Sequence, residues 1–233
     1  MKVTPLFLAG ALALTATNLS AASGRQDSID RLGMASNTLT AMINAPDKGI
    51  PEEVLSNAKC IVVIPHLVKG GFVFGAEHGR GVATCRTAEG WSAPAFVSLG
   101  GGSWGLQIGV EGVDVIMLVM NDNGLQHMLS SKFKIGADAS ASAGPIGRHA
   151  SAGTDWKMNS EILTYSRSKG VFAGISLDGA IVEQDVDSTR AIYGRDRSFR
   201  ATLDGRVHAP QSTQAFLRVI AQTAHTSAVA DAN

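Results

Sequence analysis

The segment Gly101–Gly105 has the G-x-S-x-G spacing of serine hydrolases, with Ser103 as the nucleophile. In those enzymes the serine lies on a turn between a strand and a helix, and an acid and a histidine follow later in the chain. The residues that follow here, 106–110, alternate between apolar and polar types, which predicts a strand and not a helix. Because 26 glycines make such a spacing easy to meet by chance, we rank an esterase that uses Ser103 below non-catalytic functions.

The histidine, cysteine and acidic residues do not have the spacing of a metal or acid–base site. No two of the six histidines are four residues apart, as a helical zinc site requires, and the two cysteines do not form C-x-x-C. Glu111 and Asp114 are close in sequence, but alternation along a strand places them on opposite faces or around a turn. The sequence therefore predicts no catalytic residue, no metal site and no cofactor.

Several basic residues lie where strands are expected to end. Lys69 lies beside a Gly-Gly turn, Arg167 and Lys169 share one hairpin end, and Lys132 and Lys134 share one strand face. Cations in such places hold lipid phosphates, each contributing about 1 kcal/mol near an anionic surface. The alternative for each of the five is an ordinary solvated charge.

Composition limits the functions that these residues can serve. The 233 residues include 20 Lys+Arg and 20 Asp+Glu, and this zero net charge argues against nucleic-acid binding. A hydrophobic content of 45% excludes a disordered chain. Many glycines with only 17% charged residues are typical of a turn-rich, mainly β protein.

The first 22 residues have the pattern of an export signal. Lys2 is followed by the apolar stretch 6–17 and by the small residues Ser20-Ala21-Ala22. The apolar stretch is shorter than the roughly 20 residues that a membrane-spanning helix needs. Because the first cysteine is Cys60, no lipid attachment is expected at the cleavage site. We predict a mature protein from about residue 23 that is periplasmic or secreted.

Cys60 and Cys85 are the two cysteines of the chain. Cys60 begins an apolar run and Cys85 ends a neighbouring strand, and an exported compartment permits a disulfide. Two buried free thiols fit the pattern equally well, so both alternatives stay open.

Apolar periodicity predicts helices at both ends of the chain and strands between them. Helices are expected in Ser28–Ile43, from Pro51 onward, after Asn121 or Asp122, in Asp187–Tyr193 and in Gln211–Ala224. Early strands are expected at 61–64, 71–76, 81–85, 91–99, 106–110 and 113–120, with a hairpin turn at 77–80. A second hairpin is expected at 162–167 and 171–177.

The segment from Lys132 to Ala143 alternates strictly between apolar and polar or glycine residues, which predicts one long strand. With a return arm it would form a hairpin at 136–153 rich in Ala, Ser and Gly. Such small residues either allow close packing of another layer or leave a groove that accepts acyl chains. We predict one α+β domain with a mainly antiparallel sheet or barrel-like core, on which N-terminal and C-terminal helices pack.

Several segments, taken in order, resemble the SYLF domain, the lipid-binding module of yeast endocytic actin-bundling proteins, which has animal, plant and bacterial relatives. The matching segments are Ala58–Pro65, Lys69–Gly75, Gly79–Val82, Gly90–Phe96, Gln107–Gly109, Ala143–Pro145, Tyr165–Gly174 and Tyr193–Gly194. The resemblance implies binding of phosphoinositides or other anionic lipids, actin binding in some eukaryotic members, and no enzyme activity. It places the domain at residues 50–205, after a signal (1–22) and a helix (23–49) and before a C-terminal helix and tail (206–233).

From the resemblance and the basic residues together, we expect a non-enzymatic lipid-binding protein of the bacterial cell envelope. Anionic phospholipids or a membrane surface would meet Lys69, Arg167 and Lys169 first, with Lys132 and Lys134 as further contacts. Because of the export signal, we do not expect actin as a partner. The alternative is an envelope structural or adaptor protein that binds another protein through an exposed strand edge.

Overall fold

Two long strands form the centre of the computed structural model, which describes residues 9–45, 49–147, 160–172 and 177–230. They are β1 (Cys60–Thr87) and β3 (Ala95–Val119), which pair antiparallel along almost their whole length. Their sequences combine β-branched residues with many glycines, which lets the paired strands bend sharply while keeping their hydrogen bonds.

Six helices and six further strands surround this pair in the described residues. The helices are α1 (Ala9–Ile43), α2 (Glu52–Asn57), α3 (Asp122–Leu129), α4 (Val186–Tyr193), α5 (Phe199–Leu203) and α6 (Gln214–Ala230), the last preceded by a 3-10 turn at Gln211–Thr213. The other strands are β2 (Gly90–Trp91), β4 (Lys132–Lys134), β5 (Ala141–Ala143), β6 (Ile162–Ser168), β7 (Val171–Phe172) and β8 (Ile181–Gln184).

Strand β1 doubles back so that its two arms lie against each other. Arg86 N donates a hydrogen bond to Lys59 O at 2.7 Å, which joins the two ends of the strand. A Cβ on Gly81 would collide with the carbonyl oxygen of Val63, so glycine is required for this close approach. The sheet consequently curls into a half-barrel.

The two halves of β3 pair with different strands. Its C-terminal half pairs with β6, with Ile116 opposite Tyr165. Its N-terminal half pairs with β8, with Leu99 opposite Val182, and β8 pairs in turn with β4. Only the pairing of β5 with β6 is parallel among the ladders of the described strands.

The two faces of the curled sheet bury separate apolar clusters, because successive side chains of a strand point to opposite faces. The inner cluster includes Val62, Val97, Val115, Met117 and Phe133. The outer cluster joins Ile61, Phe96 and Leu118 to α1 and α6 through Leu32, Leu39, Met42, Phe216 and Ile220. This arrangement confirms the predicted α+β domain with terminal helices packed on a mainly antiparallel, barrel-like sheet.

The hairpin turn predicted at 77–80 is wrong. Strand β1 continues through these residues, and His78 lies opposite Gly100 of β3. Glycines that favour turns also allow a strand to curve, and here the unbroken partner strand keeps the segment extended.

The long strand predicted at 132–143 is also wrong. Strand β4 ends at Lys134, and Gly136 adopts a left-handed conformation with φ +82°. Asp138 Oδ2 accepts a hydrogen bond from Lys134 N at 2.7 Å, which stabilises the turn. The alternating pattern is therefore shared by two short strands, β4 and β5. The predicted return arm, at 148–156, lies outside the described residues.

Candidate binding surface

Lys69, the first of the predicted lipid contacts, is buried in an ion pair. Its Nζ atom lies 2.7 Å from Oε2 of Glu77, and both side chains are less than one-tenth exposed. Both residues lie on β1, and the doubling back of that strand brings them together. Lys69 is thus placed inside the sheet's curve and away from a surface ligand.

Lys132 and Lys134 lie on β4, which is linked through β8 to the N-terminal half of β3. Lys132 Nζ is 3.2 Å from Oε2 of Glu183, and Lys134 is exposed. The hairpin that carries Arg167 and Lys169 belongs instead to the C-terminal half of β3. The five predicted cations therefore lie in three separate places. Lys69 lies in its buried ion pair on β1, Lys132 and Lys134 lie on β4, and Arg167 and Lys169 lie at the hairpin of β6 and β7.

Arg167 and Lys169 stay together at the hairpin between β6 and β7. Arg167 is half-buried and lies opposite both Asp114 and Phe172 in the sheet. Lys169 and Gly170 form the two-residue turn, with φ +46° and φ +83°. These angles are typical of the type I′ turn, which matches the twist of the strands that it connects. Lys169 is therefore an exposed cation at the tip of a well-defined hairpin.

Two aliphatic side chains are exposed in the region joined by the hydrogen bond between Ser168 and Glu111. Val171 is 61% exposed and Val68 is 47% exposed, although both belong to strands. Val171 lies opposite Ser168, whose hydroxyl donates a hydrogen bond to the Glu111 carboxylate. Val68 lies opposite Gly112, the residue that follows Glu111 in the chain. We name the surface formed by Val68, Glu111, Gly112 and 168–171 the hairpin rim.

Ser103 lies within the continuous strand β3, opposite Gly75. A nucleophile elbow needs a sharp turn between a strand and a helix, and the backbone at this position has no such turn. The G-x-S-x-G spacing therefore lacks the structural context that gives it catalytic meaning.

Cys60 and Cys85 are joined by a disulfide bond between the two arms of β1. Both residues are buried in the inner cluster, next to the hydrogen bond between Arg86 and Lys59. Of the two alternatives that the sequence left open, the structure adopts the disulfide.

One polar cluster was not predicted from the sequence, and it fastens α1 to α4. The Arg31 guanidinium lies 3.1 Å from Asp185 Oδ2 and donates to Ser188 Oγ at 2.9 Å. Arg80 Nε lies 3.9 Å from the same carboxylate oxygen. The sequence signal for it is local: Asp185 precedes Ser188 by three residues and caps α4 through Ser188 N.

Burial by itself would raise the pKa of Asp185, but the hydrogen bonds from Ser188 and the positive charges of Arg31 and Arg80 outweigh it. The pKa of the carboxyl group consequently lies below its usual value. This carboxylate is therefore an ionised anchor for the N-terminal helix at neutral pH.

No cluster of three or more His, Cys, Asp or Glu residues is positioned to hold a metal ion within 9–45, 49–147, 160–172 and 177–230. None of the helices in the described part of the chain has the length and apolar character needed to cross a bilayer.

Fold and surface together define a single-domain α+β protein built around a curled antiparallel sheet. The family model described as "Ysc84: Las17-binding protein actin regulator" matches residues 100–223, which is more than half of the chain. The chain belongs to this family, and its resemblance to the SYLF domain is thereby confirmed.

Curated relatives from yeasts and mammals match three-quarters of the chain. Protein YSC84 of Saccharomyces cerevisiae is 33% identical over 178 residues, which cover 75% of this chain and 38% of the relative. SH3 domain-containing protein PJ696.02 of Schizosaccharomyces pombe is 34% identical over 73% of this chain and 40% of its own length. SH3 domain-containing YSC84-like protein 1 of Mus musculus is 32% identical over 74% of this chain and 50% of its own length. The chain thus spans half or less of the length of these relatives.

These comparisons correct the expectation about partners. The family is described as a Las17-binding actin regulator, and its yeast member YSC84 is among the relatives. For the family to which this chain belongs, the expectation that excluded actin and preferred lipids to actin-related partners is therefore wrong. The family description names a regulator and not an enzyme.

Proposed function

We propose that this chain is a non-enzymatic binding domain that attaches to anionic phospholipid headgroups through the hairpin rim. The observation that carries the proposal is the exposed Lys169 at the tip of the hairpin between β6 and β7. Lys169 lies in the turn and outside the paired residues of β6 and β7, so a phosphate can approach it without displacing a strand.

The charges around Lys169 make this contact weak and local. Arg167 lies opposite Asp114, and Glu111 accepts a hydrogen bond from Ser168, so the region is nearly balanced in charge. A single cation contributes about 1 kcal/mol near an anionic membrane, or about fivefold in affinity. We therefore expect modest binding that weakens with salt, because screening acts on an exposed charge.

Vesicle co-sedimentation tests this function. The purified protein is mixed with phosphatidylcholine vesicles, with and without phosphatidylglycerol, at low and high salt. Lys169→Asn removes the charge and suits the left-handed turn, so we expect about fivefold weaker binding to anionic vesicles at low salt. Lys59→Gln is the matched control, because it also removes one lysine charge but lies outside the hairpin rim. Lys59 directly precedes β1, and its backbone N–H donates a hydrogen bond to Val119 O. Equal binding by wild type and Lys169→Asn would contradict the assignment.

We also propose a location in an exported compartment of a bacterial envelope, on the basis of the signal-like pattern of residues 1–22. Expression of the full chain, fractionation and N-terminal sequencing test it. We expect a processed chain that begins near residue 23 in the exported fraction. An unprocessed chain in the cytoplasmic fraction would overturn the location and leave the binding proposal intact.

We propose binding of an actin-regulatory protein as a candidate function of equal rank, because the family description and the match to YSC84 favour it. The matched segment, residues 100–223, includes most of β3, the hairpin of β6 and β7, and the first part of α6. Sedimentation with filamentous actin and capture by purified Las17 test this candidate. Absence of the protein from both pellets at micromolar concentration would remove it.

A further inference from the structure

We infer that Val68 and Val171 insert into the bilayer on either side of Lys169, so that the hairpin rim enters the membrane edge-on; this inference rests on the proposed function. Strand residues with aliphatic side chains normally bury them, yet these two valines are 47% and 61% exposed. Val171 lies opposite Ser168, and Val68 lies opposite Gly112, which follows Glu111. The hydrogen bond between Ser168 and Glu111 therefore links the two exposed valines to one rim.

The register places the two valines on opposite faces of the sheet. Lys69 points to the inside of the curve, where it meets Glu77, so its neighbour Val68 points to the outer face. Glu111 lies opposite Lys69 and accepts a hydrogen bond from Ser168, so Ser168 and its partner Val171 lie toward the inner side. The exposed valines therefore lie on opposite faces of the sheet and do not form a patch on one face.

This geometry favours a lipid surface over a flat protein surface as the occupant. A protein partner usually covers a patch on one face of a sheet. Lipid is fluid, so it can contact apolar side chains on both faces of a rim at the same time. The exposed Lys169 between the valines remains at the headgroup level, as basic side chains do at membrane surfaces. Gly112, which belongs to the rim, has no heavy atom within 4 Å of the place where its Cβ would be.

Single-cysteine labelling tests the insertion directly. Val68→Cys, Val171→Cys and Val186→Cys are each labelled with an environment-sensitive fluorophore, while Cys60 and Cys85 stay joined in their disulfide. Val186 is the matched control, because this exposed valine begins α4 and lies outside the rim. With phosphatidylcholine–phosphatidylglycerol vesicles, we expect a blue shift at 68 and 171 and none at 186.

The outcomes separate the inference from the proposed function. Vesicle binding without a shift at 68 and 171 would overturn insertion and leave headgroup attachment in place. Absence of vesicle binding by the wild type would overturn both. A shift at all three positions would mean non-specific adsorption and overturn the insertion. A shift with filamentous actin or Las17, and none with vesicles, would assign the rim to a protein partner and overturn the inference.

Affinity gives an independent readout. The double change Val68→Ser and Val171→Ser removes the two aliphatic groups and keeps every charge. We expect at least about fivefold weaker vesicle binding, on the scale of burying aliphatic side chains, and an unchanged unfolding midpoint. Val186→Ser should leave vesicle binding unchanged. Equal affinities of the double variant and the wild type would overturn insertion.

Discussion

Nζ of Lys69 lies 2.7 Å from Oε2 of Glu77, although both residues belong to the same strand, β1. An extended strand would separate positions 69 and 77 by about 26 Å, at about 3.3 Å per residue. Their contact therefore shows that the strand turns back on itself, and it places a charged pair inside the curve of the half-barrel. A sequence-predicted ligand cation thus has a structural role.

We predict that Lys69→Met destabilises the fold by about 3 kcal/mol or more, because it leaves the Glu77 carboxylate buried without its counter-charge. The double variant Lys69→Met, Glu77→Leu should recover most of that loss, since an apolar pair of similar volume has no desolvation penalty. Urea unfolding of the wild type, Lys69→Met, Glu77→Leu and the double variant measures the coupling free energy between the two residues. Additive effects in the double variant would contradict the buried-pair interpretation.

Gly144→Ala is predicted to destabilise the protein by about 1–3 kcal/mol. A Cβ at this position would collide with the ring of Tyr165, which is 2% exposed and cannot move aside. Gly33→Ala is the control, because Gly33 is an exposed position of α1 with no atom near its Cβ site. There we expect stabilisation of up to about 1 kcal/mol from helix propensity. Thermal or urea unfolding of the two variants compares them, and equal effects would refute the steric argument.

Asp185→Asn is predicted to cost about 3 kcal/mol at pH 7, because it leaves the Arg31 guanidinium buried without a charged partner. The pKa of Asp185 is lower in the folded state than in the unfolded state. The stabilisation that its carboxylate provides is therefore fully present above the unfolded-state pKa of about 3.9, and it is lost as pH falls through the folded-state pKa. The stability gap between wild type and variant should therefore narrow as pH falls below about 4.

Urea unfolding at neutral and at acidic pH measures that gap. Asp122→Asn is the control, because the Asp122 side chain is 82% exposed beside Lys59 and its loss should cost less than about 1 kcal/mol. A gap between wild type and Asp185→Asn that stays constant from pH 7 to pH 3 would rule out the ionised anchor.

Reduction of the disulfide between Cys60 and Cys85 is predicted to lower the free energy of unfolding by about 3 kcal/mol. The bond closes a loop with a sequence separation of 25, and the unfolded chain gains conformational entropy when it opens. Unfolding with and without a phosphine reductant measures the change, with thiol titration to confirm reduction. The variant Cys60→Ala, Cys85→Ala should be insensitive to reductant, and a wild type equally insensitive would contradict the prediction.

Local sequence patterns were sufficient for the helices that begin and end at recognisable residues. Pro51 directly precedes α2, and Asn121 caps α3 by accepting a hydrogen bond from Gly124 N at 2.9 Å. Asp185 caps α4, which begins at Val186, one residue before the start of the helix predicted at Asp187–Tyr193. Such signals are carried by residues close in sequence, so they survive without knowledge of the rest of the fold.

Strand limits were less predictable, because glycine marks both turns and curved strands. The segment around Gly79 and Gly81 had the composition of a hairpin turn, but pairing with β3 keeps it extended. The alternation at 132–143 suited one strand, but the left-handed Gly136 divides it. The strand β8 and the helix α5 were not predicted, since each is short and is stabilised by tertiary contacts.

The sequence alone determined the α+β class, the mainly antiparallel sheet, the terminal helices and the family, because these depend on periodicity and on the order of short motifs. Only the tertiary structure decided which of the predicted cations are exposed to a ligand and which are buried. Lys69 and Lys169 each directly precede a glycine, and no local pattern separates them. The doubling back of β1 buries Lys69 against Glu77, whereas the turn between β6 and β7 leaves Lys169 exposed. Burial depends on contacts between residues distant along the chain, and such contacts exist only in the folded molecule.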